Sequence, residues 1–357
     1  MDARLNRICE DVESHLPVWL PDAAAHRPVV VTSDRKRTSS RIVRLAVGDP
    51  PSYRLFVKAT AGAAGQPPAA TTRPKLVPTT DVRERAVSEF DALTRVVEQV
   101  ERDASGRFDV LRPLGIVDAG SALVMEAHSG ASLARVLSRA SRAKVGPVPI
   151  PELLARTGAW LRMFHDGPED ETLPVRQGRA ADVADAIRAF GEYLGVSRHS
   201  PLAKLVERGA RSAEALPEPL PVRAVHGDFA PRNVIVGLDG RITVIDLLGR
   251  WRAPIYEDVA SFLVALHSGR QTAVTGGRLY RRPLPELEAS FLRGYFGDDR
   301  IPAREIATYE ALLILDKWSS RRARVAARGL LGRFERPLID RHFLSRTRAV
   351  IRRLEAA

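Results

Sequence analysis

The chain has 357 residues, of which 45% are hydrophobic and 27% charged, so its composition excludes a disordered or fibrous protein. The net charge of +12 is concentrated between Lys317 and Arg353, so the basic character belongs to a C-terminal segment and not to the whole surface. A single cysteine, the lack of a long apolar run and charged residues near the N-terminus exclude an intrachain disulfide, a spanning helix and a signal core, and together predict a cytoplasmic protein.

The N-terminal third of the sequence has the pattern of a small sheet with one long helix. A first amphipathic helix is expected over residues 2–20, and the long helix over 81–101. Short runs of alternating apolar residues predict five strands, at 29–32, 41–47, 53–58, 116–118 and 122–126. Residues 59–80 are rich in Ala, Gly, Pro and Thr and predict a mobile loop.

From residue 130 onward the pattern is mainly helical, with one strand-rich interruption at 222–247. Helices are predicted at 132–139, 151–164, 180–194, 202–216, 255–268, 284–295, 302–330 and at the C-terminus. The sequence therefore predicts an α+β fold of two lobes. A small β-rich lobe with one long helix would comprise residues 1–126, and a larger, mainly helical lobe containing one hairpin would comprise 127–357.

The strand-rich segment reads AVHGDFAPRNVIVGLDGRITVIDLL over residues 224–248 and carries the clearest chemical signal. Asp239-Gly240 is typical of a two-residue hairpin turn, and a turn centred there would place Asn233 directly opposite Asp246. Directly opposed side chains share one face of a hairpin. An amide oxygen beside a carboxylate is a donor pair that suits Mg²⁺ with phosphate oxygens completing its shell.

Another carboxylate, Asp228, precedes the predicted hairpin on a loop that contains a proline. At that position it could accept the proton of a hydroxyl nucleophile. Alternatively, His226-Gly227-Asp228 is a turn in which the aspartate only caps local structure. The presence of Asn233 and Asp246 downstream favours the catalytic interpretation.

These residues resemble a known family. The string HGDFAPRN, ending at Asn233, followed by VID, ending at Asp246, is similar to the catalytic loop and metal-binding segment of the aminoglycoside phosphotransferase and choline kinase-like family, within the protein kinase-like fold. LFVK, ending at Lys58, resembles the strand with the phosphate-binding lysine. AVSEFDAL resembles the helix whose glutamate pairs with that lysine, here Glu89, with Glu84 as the alternative.

The resemblance covers roughly residues 30–265. LVMEAHSGASL, over 123–133, resembles the connector between lobes and adds Glu126 to the nucleotide-binding candidates. Asp258 matches the acidic residue that opens the next helix, and we expect it to tie down the backbone of the catalytic loop. His165 and His226 are interpreted as structural.

The resemblance implies an ATP-dependent phosphotransferase that moves the γ-phosphoryl group to a hydroxyl of a small molecule or glycan. Asp228 would orient and deprotonate the acceptor hydroxyl. Asn233 and Asp246 would hold Mg²⁺, and Lys58, positioned by Glu89, would contact the nucleotide phosphates. Phosphoryl transfer depends mainly on positioning and on neutralising negative charge, which agrees with these residue types.

Two features depart from the family pattern. The loop that would cover the phosphates, SDRKRTSSR over 33–41, contains no glycine. Ser39 or Ser40 could donate to phosphates, or the basic neighbours could form a solvated hairpin tip. Arg232 stands where many relatives have a small residue, and it could reach the transferred phosphoryl group or an anionic acceptor.

An alternative of a different class is a catalytically weak kinase-like protein that docks nucleic acid or an anionic membrane through its basic C-terminus. Retention of Lys58, Asp228, Asn233 and Asp246 favours catalysis, and we expect no nucleic-acid partner. Residues 338–354 predict a helix with one apolar arc and one cationic arc. The cationic arc could be solvated, or it could attract an anionic partner.

The sequence contains no motif that identifies the phosphoryl acceptor. A polycationic aminoglycoside requires clustered carboxylates, and the nearby candidates are Glu169, Asp170, Glu171 and Glu257. Because few carboxylates are available beside a basic C-terminal segment, a neutral sugar, a glycan intermediate or an anionic metabolite fits at least as well.

Overall fold

The computed structural model describes residues 2–23, 29–36, 40–48, 53–60, 74, 76, 81–139, 148–195, 200–268, 284–326 and 330–356. The chain divides into two compact units. The first comprises Met1–Pro67, Thr79–Ala131 and Ile235–Arg250, and the second comprises Pro68–Pro78, Ser132–Val234 and Trp251–Ala357. Within the described ranges, no helix is long and apolar enough to cross a membrane.

The first unit is built on a five-stranded antiparallel sheet. In chain order its strands are β1 (Val29–Lys36), β2 (Ser40–Val47), β3 (Tyr53–Thr60), β4 (Pro113–Val117) and β5 (Ala122–Glu126). Their order across the sheet is β1-β2-β3-β5-β4. Apolar residues at alternate positions of β2 and β3 are buried together with one face of helix α1 (Ala3–Trp19). The predicted five strands and first helix are confirmed.

The second helix, α2 (Val82–Arg102), begins after Asp81, whose side chain accepts from the Arg83 amide at 2.7 Å. The side chain of Glu84 accepts in return from the Asp81 amide at 3.3 Å, which completes a capping box. Glu84 therefore caps the start of α2, and it is not the glutamate that pairs with Lys58. The predicted loop over 59–80 lies largely outside the described residues.

The hairpin of β1 and β2 is longer than the sequence predicted. Pairing continues to Lys36 opposite Arg41, so residues 33–36 are strand and not loop. Arg41 is buried and donates to both carboxylate oxygens of Asp34, at 2.8 and 2.6 Å, and to Asp2 at 2.8 Å. One basic residue of the predicted solvated tip is thus an internal ion-pair partner.

The second unit is mainly helical. Its helices are α3 (Leu133–Arg139), α4 (Ile150–His165), α5 (Ala180–Leu194), α6 (Pro201–Glu214), α7 (Tyr256–Ser268), α8 (Leu284–Phe296), α9 (Ala303–Ala326) and α10 (Leu330–Ala356). Helices α4 and α8 cross with their backbones in close contact, because a Cβ at Gly158 or at Gly294 would overlap the facing main chain. The predicted helical pattern is confirmed.

Short strands complete the chain, at β6 (Ala131–Ser132), β7 (Val222–Ala224), β8 (Val234–Val236), β9 (Ile242–Val244) and β10 (Arg252–Pro254). The turn between β8 and β9 differs from the prediction. Gly237 N–H donates to the Arg241 carbonyl at 2.9 Å, and Gly240, at φ 81°, donates to the Gly237 carbonyl at 3.0 Å. The connection therefore has three residues and not two.

The three-residue turn shows that the strand register predicted from Asp239-Gly240 is wrong. Gly237 pairs with Arg241, whereas a turn centred on Asp239-Gly240 would have paired Leu238 with Arg241. The Asp239 carboxylate accepts from the Arg241 amide at 3.0 Å and from its Nε at 2.6 Å, which stabilises the longer loop. Direct opposition of Asn233 and Asp246 does not follow from this turn.

The C-terminal helix α10 has the predicted apolar arc, and this arc packs against the second unit, because Phe343, Val350 and Ile351 are buried. Its cationic arc is not uniformly solvated. Arg353 lies 2.9 Å from the Glu310 carboxylate, and burial lowers the pKa of the Arg346 guanidinium below its usual range. These two arginines are half-buried and interact with acidic residues of the second unit, so they are not simply part of a solvated cationic surface.

Candidate active site

In the first unit, one lysine joins two carboxylates. Lys58 Nζ donates to both oxygens of Glu89 at 2.7 Å and to Asp246 Oδ1 at 2.8 Å. The Lys58 and Glu89 side chains are 19% and 10% exposed, whereas that of Asp246 is 42% exposed. The three residues come from β3, α2 and the segment after β9, so the fold brings together three separate parts of the sequence.

Alternation along β3 sets the direction of Lys58. Leu55 and Val57 are buried in the sheet core, and Lys58 projects from the other face. Helix α2 carries Glu89 at a buried position. Ionic bonds to the carboxylates outweigh the effect of burial and raise the pKa of Lys58, while burial raises the pKa of Glu89 despite the neighbouring ammonium.

The backbone at Asp246 has an unusual conformation. Its φ of 62° lies in the left-handed region, which aspartate enters at a cost and which is frequent at functional sites. Three residues later, Gly249 (φ 61°) lies against α2, and a Cβ there would be 2.6 Å from the Ser88 carbonyl oxygen. The close approach of this segment to α2 explains how the Asp246 carboxylate reaches Lys58.

In the second unit, a buried carboxylate holds the loop that carries Asp228. Asp258, at the start of α7, is fully buried and accepts from the His226 amide at 2.6 Å and from the Gly227 amide at 3.0 Å. Despite its burial, bonds from His165 and from the loop hold the pKa of Asp258 below its usual value. The prediction that Asp258 ties down the backbone of this loop is confirmed, and the catalytic role of the loop stays a prediction.

Two histidines support the same loop, in agreement with the structural roles assigned to them. His165 Nε2 lies 3.2 Å from Asp258 Oδ2, and its Nδ1 lies 2.7 Å from the Tyr295 hydroxyl. His226 Nδ1 accepts from the Asp228 amide at 3.2 Å. The hydrogen bond from His165 therefore positions Asp258, and the hydrogen bond from His226 positions the Asp228 backbone.

The Asp228 side chain is 39% exposed and is contacted by two residues of its own loop. Asn233 Nδ2 donates to the Asp228 carbonyl oxygen at 3.0 Å and to Oδ2 at 3.3 Å. The Arg232 guanidinium donates to the same Oδ2. Within the described part of the chain, Asp228 Oδ1 has no hydrogen-bond donor, so this oxygen is available to a ligand.

Sequence reasoning missed Lys317, which lies on α9. It is partly buried and donates to the Ser261 carbonyl at 3.4 Å. Burial lowers its pKa to about 8, and the negative charge of Asp228 acts against that shift. The only sequence signal for it was its residue type, because the chain contains six lysines against 49 arginines.

The remaining candidates have simple placements. Ser40 is the first residue of β2 and lies opposite Thr60, and Ser39 lies outside the described residues. Glu126 ends β5 opposite Leu55, and its amide donates to the Arg112 carbonyl at 3.0 Å. Among the described residues of the first unit, neither Ser40 nor Glu126 forms a hydrogen bond or ion pair with Lys58, Glu89 or Asp246.

Comparison with known proteins identifies a family and a fold. The family model described as the phosphotransferase enzyme family matches residues 75–306. A choline/ethanolamine kinase family protein from Mesorhizobium loti is similar in structure with a TM-score of 0.57 and 16% identity, over 97% of this chain and 98% of that one. Among curated protein sequences, none matches.

Two further solved structures give the same fold. A spectinomycin phosphotransferase in complex with ADP and spectinomycin has a TM-score of 0.56 and 11% identity, over 98% of each chain. A macrolide 2'-phosphotransferase from Brachybacterium faecium has a TM-score of 0.55 and 16% identity, over 92% of this chain and 98% of that one. The predicted α+β, protein kinase-like fold and the predicted family resemblance are confirmed.

Proposed function

Because this chain belongs to the phosphotransferase enzyme family, we propose that it transfers the γ-phosphoryl group of ATP to a hydroxyl of a small molecule. The observation that carries the proposal is the double pairing of Lys58 with Glu89 and Asp246 in the first unit. A lysine held in this way presents a fixed positive charge, and fixed charges are what phosphoryl transfer requires.

Asp228 is the proposed base of the reaction. Its Oδ1 would accept the acceptor's hydroxyl proton as the hydroxyl oxygen bonds to the γ-phosphorus. The bond from that phosphorus to the oxygen bridging it to the β-phosphate breaks, and ADP leaves with the electron pair. Asn233 and Arg232 hold Oδ2, so they orient the carboxylate while Oδ1 faces the substrate.

Asp246 and Asn233, each considered by itself, offer oxygen donors of the kind that magnesium prefers, and they are the proposed ligands. Asp246 offers a half-exposed carboxylate in a strained backbone conformation. The amide nitrogen of Asn233 is used by Asp228, which leaves its carbonyl oxygen for a cation. When bound with the nucleotide, Mg²⁺ neutralises charge on the phosphates.

Nucleotide titration tests the proposal before any acceptor is known. We expect calorimetry to show that ATP binds only with Mg²⁺. Asp246→Ala should abolish this Mg²⁺-dependent binding, and Asn233→Ala should weaken it less, because an amide carries no formal charge. Asp298→Asn, an exposed carboxylate of the second unit, is the matched control. Equal Mg²⁺ dependence in wild type and Asp246→Ala would remove the metal assignment.

A screen for transfer from radiolabelled ATP to hydroxyl-bearing metabolites then tests catalysis. Magnesium-dependent transfer to at least one acceptor is the expected result. Nucleotide binding without transfer or hydrolysis would instead favour the catalytically weak binding protein. In that case, the basic C-terminal segment would be the next surface to test.

A further inference from the structure

Lys317 lies beside the helix that holds the Asp228 loop in the second unit. Its ammonium on α9 donates to the Ser261 carbonyl of α7 at 3.4 Å, one turn after Asp258, whose carboxylate accepts from two amides of that loop. Lys317 also interacts electrostatically with Asp228, and four charged side chains act on it in all: Asp228, Arg232, Asp316 and Arg321. Lys317 and these four residues together carry three positive and two negative charges.

Lys317 has unused bonding capacity. An ammonium group has three donor hydrogens, and its hydrogen bond to the Ser261 carbonyl is long, at 3.4 Å. Among the described residues, no carboxylate oxygen lies within ion-pairing distance of Lys317 Nζ. A partly buried charge without a close partner is unfavourable, so a bound anion would stabilise this lysine.

Arg232 also has unused bonding capacity. Its guanidinium donates to Asp228 Oδ2, and its side chain is 54% exposed. A guanidinium has five N–H donors, so Arg232 can bind an anionic group of the substrate with the remaining donors and still hold Oδ2. Oδ1 of Asp228 then stays open to the hydroxyl of the same substrate.

Of the four carboxylates that the sequence offered to a polycationic acceptor, three are already engaged. Glu169 lies 2.7 Å from Arg223 and 3.5 Å from Arg252. Asp170 accepts from the Thr172 amide at 3.2 Å, and the buried Glu257 is paired with Arg176. These contacts leave little acidic surface for a cationic substrate among the candidates that the sequence offered.

We propose that the phosphoryl acceptor carries a carboxylate or phosphate group in addition to its hydroxyl, and that Lys317 and Arg232 bind that group beside Asp228. This inference rests on the proposed function, because it names the substrate class of the same site. Lys317 acts here as a specificity-determining residue, and Asp228 remains the base.

A panel of acceptors built on one scaffold tests the proposal. Glycerol, glycerate, glycerol 3-phosphate and 2-amino-1,3-propanediol differ mainly in charge, and glucose, gluconate, glucose 6-phosphate and glucosamine form a larger second set. With saturating ATP and Mg²⁺, we expect kcat/KM for the anionic members to exceed that of the neutral and cationic members at least tenfold. Comparing the carboxylate with the phosphate members shows which anion is bound.

Variants assign the preference to Lys317. Lys317→Gln should raise KM for anionic acceptors about 10- to 100-fold, the range expected for a lost charged hydrogen bond, and should change KM for neutral acceptors far less. Lys317→Arg should restore most of the anionic preference. Lys204→Gln, an exposed lysine paired with Glu355, is the control and should leave the preference unchanged. If Lys317→Gln fails to fold, Arg232→Gln supplies the same comparison.

Preference of the wild type for neutral or cationic acceptors, or an equal effect of Lys317→Gln on all acceptors, would overturn the inference. If no panel member is phosphorylated, the panel is titrated against the ADP-loaded protein. Anion-selective binding that Lys317→Gln weakens supports the inference, and its absence overturns it. A wild-type protein that fails to bind Mg²⁺ and ATP would instead overturn the proposed function, so the two failures are distinguishable.

Discussion

Lys58 Nζ donates to both carboxylate oxygens of Glu89 at 2.7 Å, across two elements of the first unit. Both side chains are mostly buried, so each charge depends on the other for compensation. Removing one member of such a pair is more harmful than replacing both, because the remaining charge stays buried without its partner.

Lys58→Met is therefore expected to lower the free energy of unfolding by about 3 kcal/mol, because it leaves the Glu89 carboxylate uncompensated. Lys58→Met combined with Glu89→Leu should recover part of that loss, and urea denaturation of the single and double variants measures the coupling. Lys36→Met is the control, since Lys36 is 72% exposed and should change stability little. A double variant as unstable as the sum of the single variants would contradict the dependence between the two charges.

The proposed base can be removed with little change of shape. Asp228→Asn should leave nucleotide binding nearly intact and reduce turnover at least about 100-fold, because general bases typically contribute that much or more. The measurement is kcat with a validated acceptor, together with calorimetric binding of ATP and Mg²⁺. Turnover equal to that of wild type would show that Asp228 is not the base.

The buried Asp258 holds the loop that carries Asp228 through charged hydrogen bonds. Asp258→Asn should cost about 2–4 kcal/mol of stability at pH 7, because charged hydrogen bonds to the His226 and Gly227 amides are lost. Turnover should fall with it, since the loop also carries Asp228. Tyr295→Phe, which removes only a hydroxyl beside His165, should cost about 1 kcal/mol.

The pH dependence at Asp258 has a definite sign. Its folded-state pKa lies below the ordinary 3.8, so the unfolded chain binds the proton more readily. Its contribution is complete above the unfolded-state pKa and is lost as pH falls through the lower, folded-state pKa. The stability difference between wild type and Asp258→Asn should therefore shrink on acidification below about pH 4. A difference that does not change with pH would exclude a charge-based role.

Local periodicity was sufficient to predict the five strands and the main helices, and the motif around Asp228 and Asn233 was sufficient to predict the family. The β8–β9 turn was not predictable from Asp239-Gly240, because the Asp239 side chain bonds to Arg241 and stabilises a three-residue loop. Lys317 was missed for a different reason. Its electrostatic interaction with Asp228 arises only in the folded unit, and no spacing rule links α9 to the loop that carries Asp228.

The cationic arc of α10 shows the same limit. The sequence placed Arg346 and Arg353 on a surface that is either solvated or attractive to anions. Their acidic partners lie on α8 and α9, and helical periodicity along α10 gives no information about them. The interior of the second unit therefore contains a charge network that could not be predicted, with Glu310 fully buried at its centre.

Glu310 gives the last prediction. Arg353 Nη1 lies 2.9 Å from Glu310 Oε2, but neither carboxylate oxygen is hydrogen-bonded within the described part of the chain. Burial raises the pKa of Glu310 to about 7, so between the ordinary value of 4.5 and about pH 7 the folded state binds more protons than the unfolded state. Stability should consequently fall as pH rises through that window, by up to about 3 kcal/mol from this group.

Glu310→Gln should abolish that loss, because an amide keeps the shape without a charge. Its stability relative to wild type should be higher at pH 8 than at pH 5, as measured by urea denaturation at both values. Glu305→Gln on the same helix is the control, and its difference from wild type should be the same at the two pH values. If Glu310→Gln also differs from wild type equally at pH 5 and pH 8, then Glu310 is ionised at both values, and Arg353 compensates its charge more fully than burial opposes it.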